Sequence, residues 1–169
     1  KIPDDVPLEF AAVFGCGALT GQGAVFNVAK PRPGEYVAIF GAGGVGLMAL
    51  LGAACAGALP IVVDPLPHKR ALALELGAVL AIEPAAGEPA AQITEQLGIR
   101  GVAFAIEATA VPSVVLQALD ALTPDVQDSL RFYGLNPYGL AVDAVHDEAF
   151  VTFFLDDSVG VVGLKDADG

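Results

Sequence analysis

Basic residues are scarce in this sequence. It carries 8 Lys and Arg against 20 Asp and Glu among 169 residues, which gives a formal net charge of −12 at pH 7. A surface this acidic repels the phosphate backbone of nucleic acids. The composition therefore disfavours DNA or RNA as a partner.

Cysteine is scarce too, and long apolar runs are missing. Cys16 and Cys55 are the only cysteines, too few for a disulfide framework and not in a Cys-x-x-Cys pair, so we expect a cytoplasmic protein. No apolar run reaches about 18 residues, the length of a membrane-spanning helix, so we expect no membrane partner. The first residues carry neither an initiator Met nor a signal-peptide pattern, which suggests a chain that begins within a longer protein.

A Gly-x-Gly-x-x-Gly motif lies between a short apolar run and a longer, alanine-rich one. Residues 36–40 are mostly β-formers, and residues 45–56 suit a buried helix. In a dinucleotide-binding βαβ unit, Gly41 would allow the tight turn, Gly43 would let the backbone approach a pyrophosphate, and Gly46 would let the helix pack on the strand. The amide groups and the positive end of the helix dipole would then face the phosphates.

A carboxylate follows the motif at the spacing that this interpretation requires. Asp64 ends the second predicted strand, where a carboxylate accepts hydrogen bonds from the adenosine ribose hydroxyls, about 20 residues beyond the glycines. A glycine-rich turn that binds no nucleotide is the alternative. A P-loop is excluded because no Gly-Lys-Ser/Thr follows the glycines.

Predicted strands and helices alternate through the first 124 residues. After the first βαβ unit come helices at 67–76, 90–96 and 111–122 and strands at 79–82 and 102–107. Upstream, residues 4–30 read as a helix stopped by glycines, a turn, and a second helix over 21–30. The alternation predicts an α/β fold of the Rossmann type, a doubly wound parallel sheet covered on both faces.

Several short motifs follow one another along the first three-quarters of the chain. They are Leu8-Glu9-Phe10-Ala11-Ala12, Gly15-Cys16-Gly17-Ala18-Leu19-Thr20-Gly21, Lys30-Pro31-Arg32-Pro33-Gly34, Gly41-Ala42-Gly43-Gly44-Val45-Gly46-Leu47, Asp64, Lys69-Arg70, Leu76-Gly77-Ala78 and Phe104-Ala105-Ile106-Glu107-Ala108-Thr109. In this order they resemble the coenzyme-binding half of zinc-dependent medium-chain alcohol dehydrogenases, and most of all the aryl-alcohol dehydrogenase branch. The resemblance fades near Pro124.

The resemblance implies a zinc role for one cysteine. Cys16 matches a ligand of the family's catalytic zinc, which acts as a Lewis acid and holds substrate alcohol as an alkoxide. The family's other ligands would lie in a catalytic domain upstream of residue 1. For this chain alone, the alternative is that Cys16 is a small, partly buried residue.

The resemblance also implies a coenzyme, NAD, and residues that bind it. Thr20 would contact the nicotinamide side, although a Thr before Gly21 could equally be a helix N-cap. Lys69 would reach the adenosine ribose or its phosphate, or else share a solvated helix face with Arg70. The coenzyme-binding set is Gly41, Gly43, Gly44, Val45, Gly46, Asp64, Lys69, Ala108 and Thr109.

Other chemically capable side chains receive plainer interpretations. His68 lacks a metal-spaced neighbour and His146 lies in the acidic C-terminal segment, so both are expected at the surface. Cys55 lies on the alanine-rich helix and is expected in the core. Glu107 ends the fourth predicted strand, at the sheet edge where ligands bind, so either a structural or a coenzyme-side role fits it.

The composition changes after Pro124. Nine of the twenty acidic residues lie there, against two basic residues, Arg131 and Lys165. Short β-like runs separated by turn residues predict antiparallel strands. The segment resembles a single blade of a Tyr-Val-Thr-Asn or NHL-type β-propeller, and one blade cannot bury both its faces. We therefore expect a dinucleotide-binding domain over 1–124 and a β-rich appendage over 125–169, a foreign or truncated element.

Three functions compete at this stage. The first is the coenzyme domain of an NAD-dependent zinc alcohol dehydrogenase, a fragment acting on an alcohol or aldehyde in its parent and compatible with a homo-oligomer. The second is a dinucleotide-binding module without chemistry, and the third is a propeller-type interaction protein. The turn around Cys16 favours the first over the second, and the length of the chain disfavours the third.

Overall fold

The computed structural model describes residue 3, residues 5–124 and three later strands. The strands are β1 (Tyr36–Phe40), β2 (Leu59–Val63), β3 (Leu80–Ile82), β4 (Phe104–Glu107), β5 (Pro137–Asp143), β6 (Glu148–Phe153) and β7 (Val159–Val162). The α-helices are α1 (Leu8–Val13), α2 (Leu19–Gly23), α3 (Gly44–Cys55), α4 (Pro67–Glu75), α5 (Pro89–Leu97) and α6 (Pro112–Asp120), joined by π-helical segments at Phe14–Ala18 and Ala24–Ala29 and a 3-10 turn at Pro84–Ala86.

One sheet contains all seven described strands, in the order β3-β2-β1-β4-β5-β6-β7. The first four are parallel neighbours, and their crossovers are made by helices. Parallel strands need such long connections, which is why strand and helix alternate in the sequence. This arrangement confirms the predicted Rossmann-type α/β fold.

The sheet has a separate hydrophobic core on each face. Along β1, Val37 and Ile39 point into one core while Ala38 and Phe40 point into the other, as the two-residue period of a strand requires. The first core includes Val25 from the N-terminal segment and Ala49, Leu50 and Ala53 from α3. The second includes Ile93 from α5 and Ala118 and Leu122 from the α6 region. Because both faces are covered, β1 is apolar at every position.

The N-terminal segment is helical from Leu8 to Ala29, so the predicted stop and turn at the glycines is wrong. Gly17 and Gly21 lie where this segment meets α3. A Cβ on Gly21 would overlap the carbonyl oxygen of Val45 and stand 2.8 Å from the amide nitrogen of Ala49. The glycines weaken the helix intrinsically, but they let two helices approach closely, and packing decides the outcome.

Helix α3 is buried over most of its length. Gly46, Ala49, Leu50, Gly52 and Ala53 are buried. Cys55 is the last residue of the helix and is exposed. Its predicted place in the core is therefore wrong.

The strands beyond residue 124 pair antiparallel, as predicted. β5 meets β4 through Leu140 and Glu107, and β6 and β7 follow outward in the same sheet. The division of the chain at residue 125 stays a prediction. Among the described residues, no helix is both long and apolar enough to cross a membrane.

Candidate functional site

The first and third glycines of the motif, Gly41 and Gly46, have no room for a side chain. Gly41 has a φ of +97°, and a Cβ there would stand 2.7 Å from Cγ2 of Thr109. A Cβ on Gly46 would overlap the carbonyl oxygen of Gly41. Only glycine combines the backbone conformation of Gly41 with this proximity, and Gly46 has no room for a Cβ, so both positions let the chain pack tightly at the end of β1.

The middle of the same turn is open. Gly43 and Gly44 have nothing within 4 Å of the place where a Cβ would stand. Gly43 precedes the first residue of α3, with extended backbone at φ −81° and ψ −171°. The first amides of a helix have no partner within the helix, and they carry the positive end of its dipole. The turn and the first turn of α3 therefore lie beside open space at Gly43 and Gly44, where an anion could approach the backbone.

Asp64 is tied to the glycine-rich turn. Asp64 is buried, with 3% of the residue exposed. Its carboxylate accepts hydrogen bonds from the backbone N–H of Ala42 at 2.8 Å and of Leu66 at 2.9 Å. The Ala42 bond joins the end of β2 to the turn after β1. Each carboxylate oxygen can accept more than one bond, so these contacts leave acceptor capacity for a ribose hydroxyl.

Two cations stand beside Asp64, and both are paired. Nζ of Lys69 lies 3.8 Å from Oδ2 of Asp64. The Arg70 guanidinium donates through Nη1 to the carbonyl oxygens of Asp64 and Pro65, both at 2.8 Å, and through Nη2 to the carboxylate of Glu83. Sequence reasoning treated Arg70 as part of a solvated face and assigned no role to Glu83. The signal for their pairing was weak, because 13 residues separate them.

Glu107 organises the loop after β4. Its carboxylate is 1% exposed and accepts bonds from the N–H of Thr109 at 2.6 Å, from the Thr109 hydroxyl, and from the N–H of Ala110 at 3.3 Å. Ala110 adopts a φ of +59°, a conformation unusual for alanine. These bonds hold Thr109 over Gly41, so Glu107 has a structural role at the edge of the site.

The nine predicted coenzyme-binding residues meet at one end of the sheet. They lie in the turns after β1, β2 and β4 or in the first turns of α3 and α4. These three strands are adjacent and parallel, and Ala108 donates its N–H to the carbonyl oxygen of Phe40 at 2.9 Å. Ligands of such sheets bind outside the carboxyl ends of the strands.

Cys16 and Thr20 lie on the N-terminal helical segment, and both are exposed. Their neighbour Gly17 approaches the start of α3, because a Cβ there would stand 4.0 Å from the carbonyl carbon of Gly44. Thr20 is inside α2, whose N-cap is Ala18, so the N-cap interpretation of Thr20 is wrong.

The site fits a dinucleotide better than it fits zinc. The open glycines, the amides of α3 and the anchored Asp64 match the pyrophosphate and ribose of a dinucleotide. A catalytic zinc takes three protein ligands, whereas no group of three His, Cys, Asp or Glu side chains within the described parts of the chain could hold a metal. Cys16 by itself does not make a zinc site.

A family model described as "Zinc-binding dehydrogenase" matches residues 44–148, which is more than half of the sequence. The chain belongs to this family. The match begins at the first residue of α3 and runs past Pro124, into the segment where we expected the resemblance to fade.

Individual proteins that the chain resembles are dehydrogenases too. The chain is 44% identical over 126 residues to geraniol dehydrogenase of Castellaniella defragrans, covering 73% of this chain and 34% of the relative. It is 38% identical over 138 residues to alcohol dehydrogenase class-2 isozyme 2 of Oryctolagus cuniculus, covering 80% and 36%. The structure matches benzyl alcohol dehydrogenase from Acinetobacter calcoaceticus with a TM-score of 0.68 and 41% identity, covering 73% of this chain and 34% of that one. The chain thus spans about a third of the length of these relatives.

Proposed function

We propose that this chain binds NAD, with the pyrophosphate on Gly43 and Gly44 and the adenosine ribose on Asp64. One observation carries the proposal: the glycine-rich turn is closed at Gly41 and Gly46 but open at its centre, beside the N-terminus of α3. A turn that served the fold alone would not need an open centre at that position.

We propose NAD rather than NADP because of the groups at the ribose end. The Asp64 carboxylate accepts a hydrogen bond from a free 2′-hydroxyl but repels a 2′-phosphate. Arg70, which could otherwise attract the phosphate, is bound to two carbonyl oxygens and to Glu83. Lys69 is within ion-pair distance of Asp64 itself.

Fluorescence titration of the purified chain with NADH and with NADPH tests the choice of coenzyme. We expect NADH to bind at least about tenfold more tightly, a difference of about 1.4 kcal/mol. Asp64→Asn serves as the control and should reduce this preference, because the amide no longer repels the phosphate. Equal or tighter binding of NADPH by the wild-type chain would show that Asp64 does not have this role.

For the parent protein we propose the oxidation of an alcohol to an aldehyde or ketone. Zinc, when bound, would polarise the alcohol oxygen, and Cys16 would be one of its ligands. Thr20, on the same helical segment, would contact the nicotinamide half of the coenzyme. The likeness to benzyl alcohol dehydrogenase supports an aryl alcohol as substrate, and we propose a soluble cytoplasmic protein without a nucleic-acid or membrane partner, open to homo-oligomerisation.

A dinucleotide-binding module without chemistry is the second candidate, supported by the finding that no three His, Cys, Asp or Glu side chains among the described residues are grouped so as to hold a metal. The propeller hypothesis for residues 125–169 has no support among the relatives. It predicts that further blade repeats follow in the coding sequence, which can be read directly.

A further inference from the structure

The Arg70 guanidinium is hydrogen-bonded to the backbone at Asp64, the residue that our proposed function places against the adenosine ribose. Its Nη1 donates to the carbonyl oxygens of Asp64 and Pro65. In related folds that bind NADP, an arginine near this place accommodates the 2′-phosphate. Arg70 is therefore close to the position of an NADP-binding arginine, in a site whose carboxylate favours NAD.

Glu83 is the partner that neutralises this arginine. It follows β3 directly, and its carboxylate forms an ion pair with Nη2 of Arg70. Glu83 is also held from a second side, because Nε2 of Gln92 on α5 donates to its carbonyl oxygen at 2.9 Å and to that of Gly87 at 2.7 Å. The carboxylate is thus supplied by a backbone fixed independently of Arg70.

Charge around the ribose end is balanced in pairs. Lys69 faces Asp64, and Arg70 faces Glu83. An incoming 2′-phosphate would meet two carboxylates and two cations that already neutralise one another. Without Glu83 the same place would carry a net positive charge, which attracts a phosphate over several ångströms.

We propose that Glu83 is a coenzyme-specificity residue, which excludes NADP by neutralising Arg70 beside the ribose site. This inference rests on the proposed NAD function. The Glu83 side chain is 37% exposed, and Arg70 keeps its two carbonyl bonds without it. The fold can therefore lose this charge.

The test is Glu83→Gln, titrated with NADH and NADPH by fluorescence at low salt. The amide keeps the size and a hydrogen bond but removes the charge, so we expect NADPH to bind about five- to tenfold more tightly and NADH to change by less than about twofold. Glu75→Gln, an exposed carboxylate at the far end of α4, makes the same change in net charge and should leave both affinities unaltered.

Combining Glu83→Gln with Arg70→Met tests whether the gain in NADPH affinity depends on Arg70. In Arg70→Met, adding Glu83→Gln should give no further increase in NADPH affinity, because no cation is released. An unchanged NADPH:NADH ratio in Glu83→Gln, a gain that persists without Arg70, or equal losses for both coenzymes would each overturn the inference. So would unfolding of both Glu83→Gln and Glu83→Ala, checked by thermal melting, since the ion pair would then be structural.

The two proposals fail in different ways. A wild-type chain that binds neither coenzyme overturns both. A wild-type chain that prefers NADH, with the same preference in Glu83→Gln, overturns the role of Glu83 and leaves the proposed function intact.

Discussion

The four glycines within six residues at the carboxyl end of β1 have different surroundings. Gly41 and Gly46 face atoms of the chain, whereas Gly43 and Gly44 face open space. A side chain added at the first pair would collide with the protein, and one added at the second pair would collide with a ligand. The two kinds of glycine can therefore be separated by experiment.

Gly43→Val should abolish NADH binding and leave the fold intact. Valine tolerates the extended backbone of Gly43, and its side chain would fill the space that the pyrophosphate needs. We expect a loss of at least about a hundredfold in affinity, or about 2.7 kcal/mol, with little change in thermal stability. Gly43→Ala should give an intermediate loss.

Gly46→Ala is the matched contrast, because its Cβ would overlap the carbonyl oxygen of Gly41. We expect a loss of about 1–3 kcal/mol in the free energy of unfolding, measured in urea. For Gly43→Val, an NADH affinity equal to that of the wild-type chain would mean that the phosphate does not lie on this turn.

The sequence was informative about residues whose role depends on a local pattern. The spacing of the glycines and Asp64 predicted that these residues lie together at the ends of neighbouring strands, and the structure places them there; their binding of a coenzyme stays a prediction. The spacing did not reveal that Ala42 donates to Asp64 or that Glu83 pairs with Arg70, since such contacts depend on how separate turns meet. Cys55 was misplaced because the apolar composition of α3 was taken for burial at every position, although Cys55, the last residue of the helix, is exposed.

At the scale of elements, the contact between the N-terminal helical segment and α3 positions part of the site. The crossing brings Gly17 near Gly44, and with it the segment that carries Cys16 and Thr20. Glycine signals both a helix end and a close helix contact, and sequence alone does not distinguish them. The strands and later helices were predicted within a few residues, because their apolar periods and flanking prolines act locally.

Gly21→Ala should weaken this helix crossing. Its Cβ would overlap the carbonyl oxygen of Val45 and crowd Ala49 and Met48, so α2 and α3 would have to separate. We expect the free energy of unfolding to fall by about 1–3 kcal/mol. Urea denaturation measures the change.

Gly23→Ala is the control in the same helix. The nearest atom to its Cβ would be Nδ2 of Asn27 at 3.6 Å, an ordinary contact. Alanine favours a helix over glycine, so stability should be unchanged or higher by up to about 1 kcal/mol. If Gly21→Ala is as stable as Gly23→Ala, the two helices do not cross at Gly21.

At the scale of the whole molecule, the coenzyme fold and the chemistry of the family are separable. Four parallel strands and two hydrophobic cores build the end of the sheet where we propose that a dinucleotide binds. The relatives are about three times as long as the matched region. The described residues include those that we propose contact the ribose and pyrophosphate, but only one residue, Cys16, that the family resemblance assigns to zinc.

We therefore expect this chain, assayed alone, to bind NAD weakly and not to oxidise alcohols. Hydride transfer in this family depends on a zinc-held alkoxide, and a catalytic zinc needs three protein ligands. A loss of nicotinamide-side contacts relative to the parent protein, worth about 3 kcal/mol, would weaken coenzyme binding about a hundredfold. The assay is purified chain with zinc, NAD and benzyl alcohol, followed by NADH absorbance, with Cys16→Ala as the control. Turnover that a chelator abolishes and Cys16→Ala lacks would contradict this expectation, because other side chains of this chain would then have to complete a metal site around Cys16.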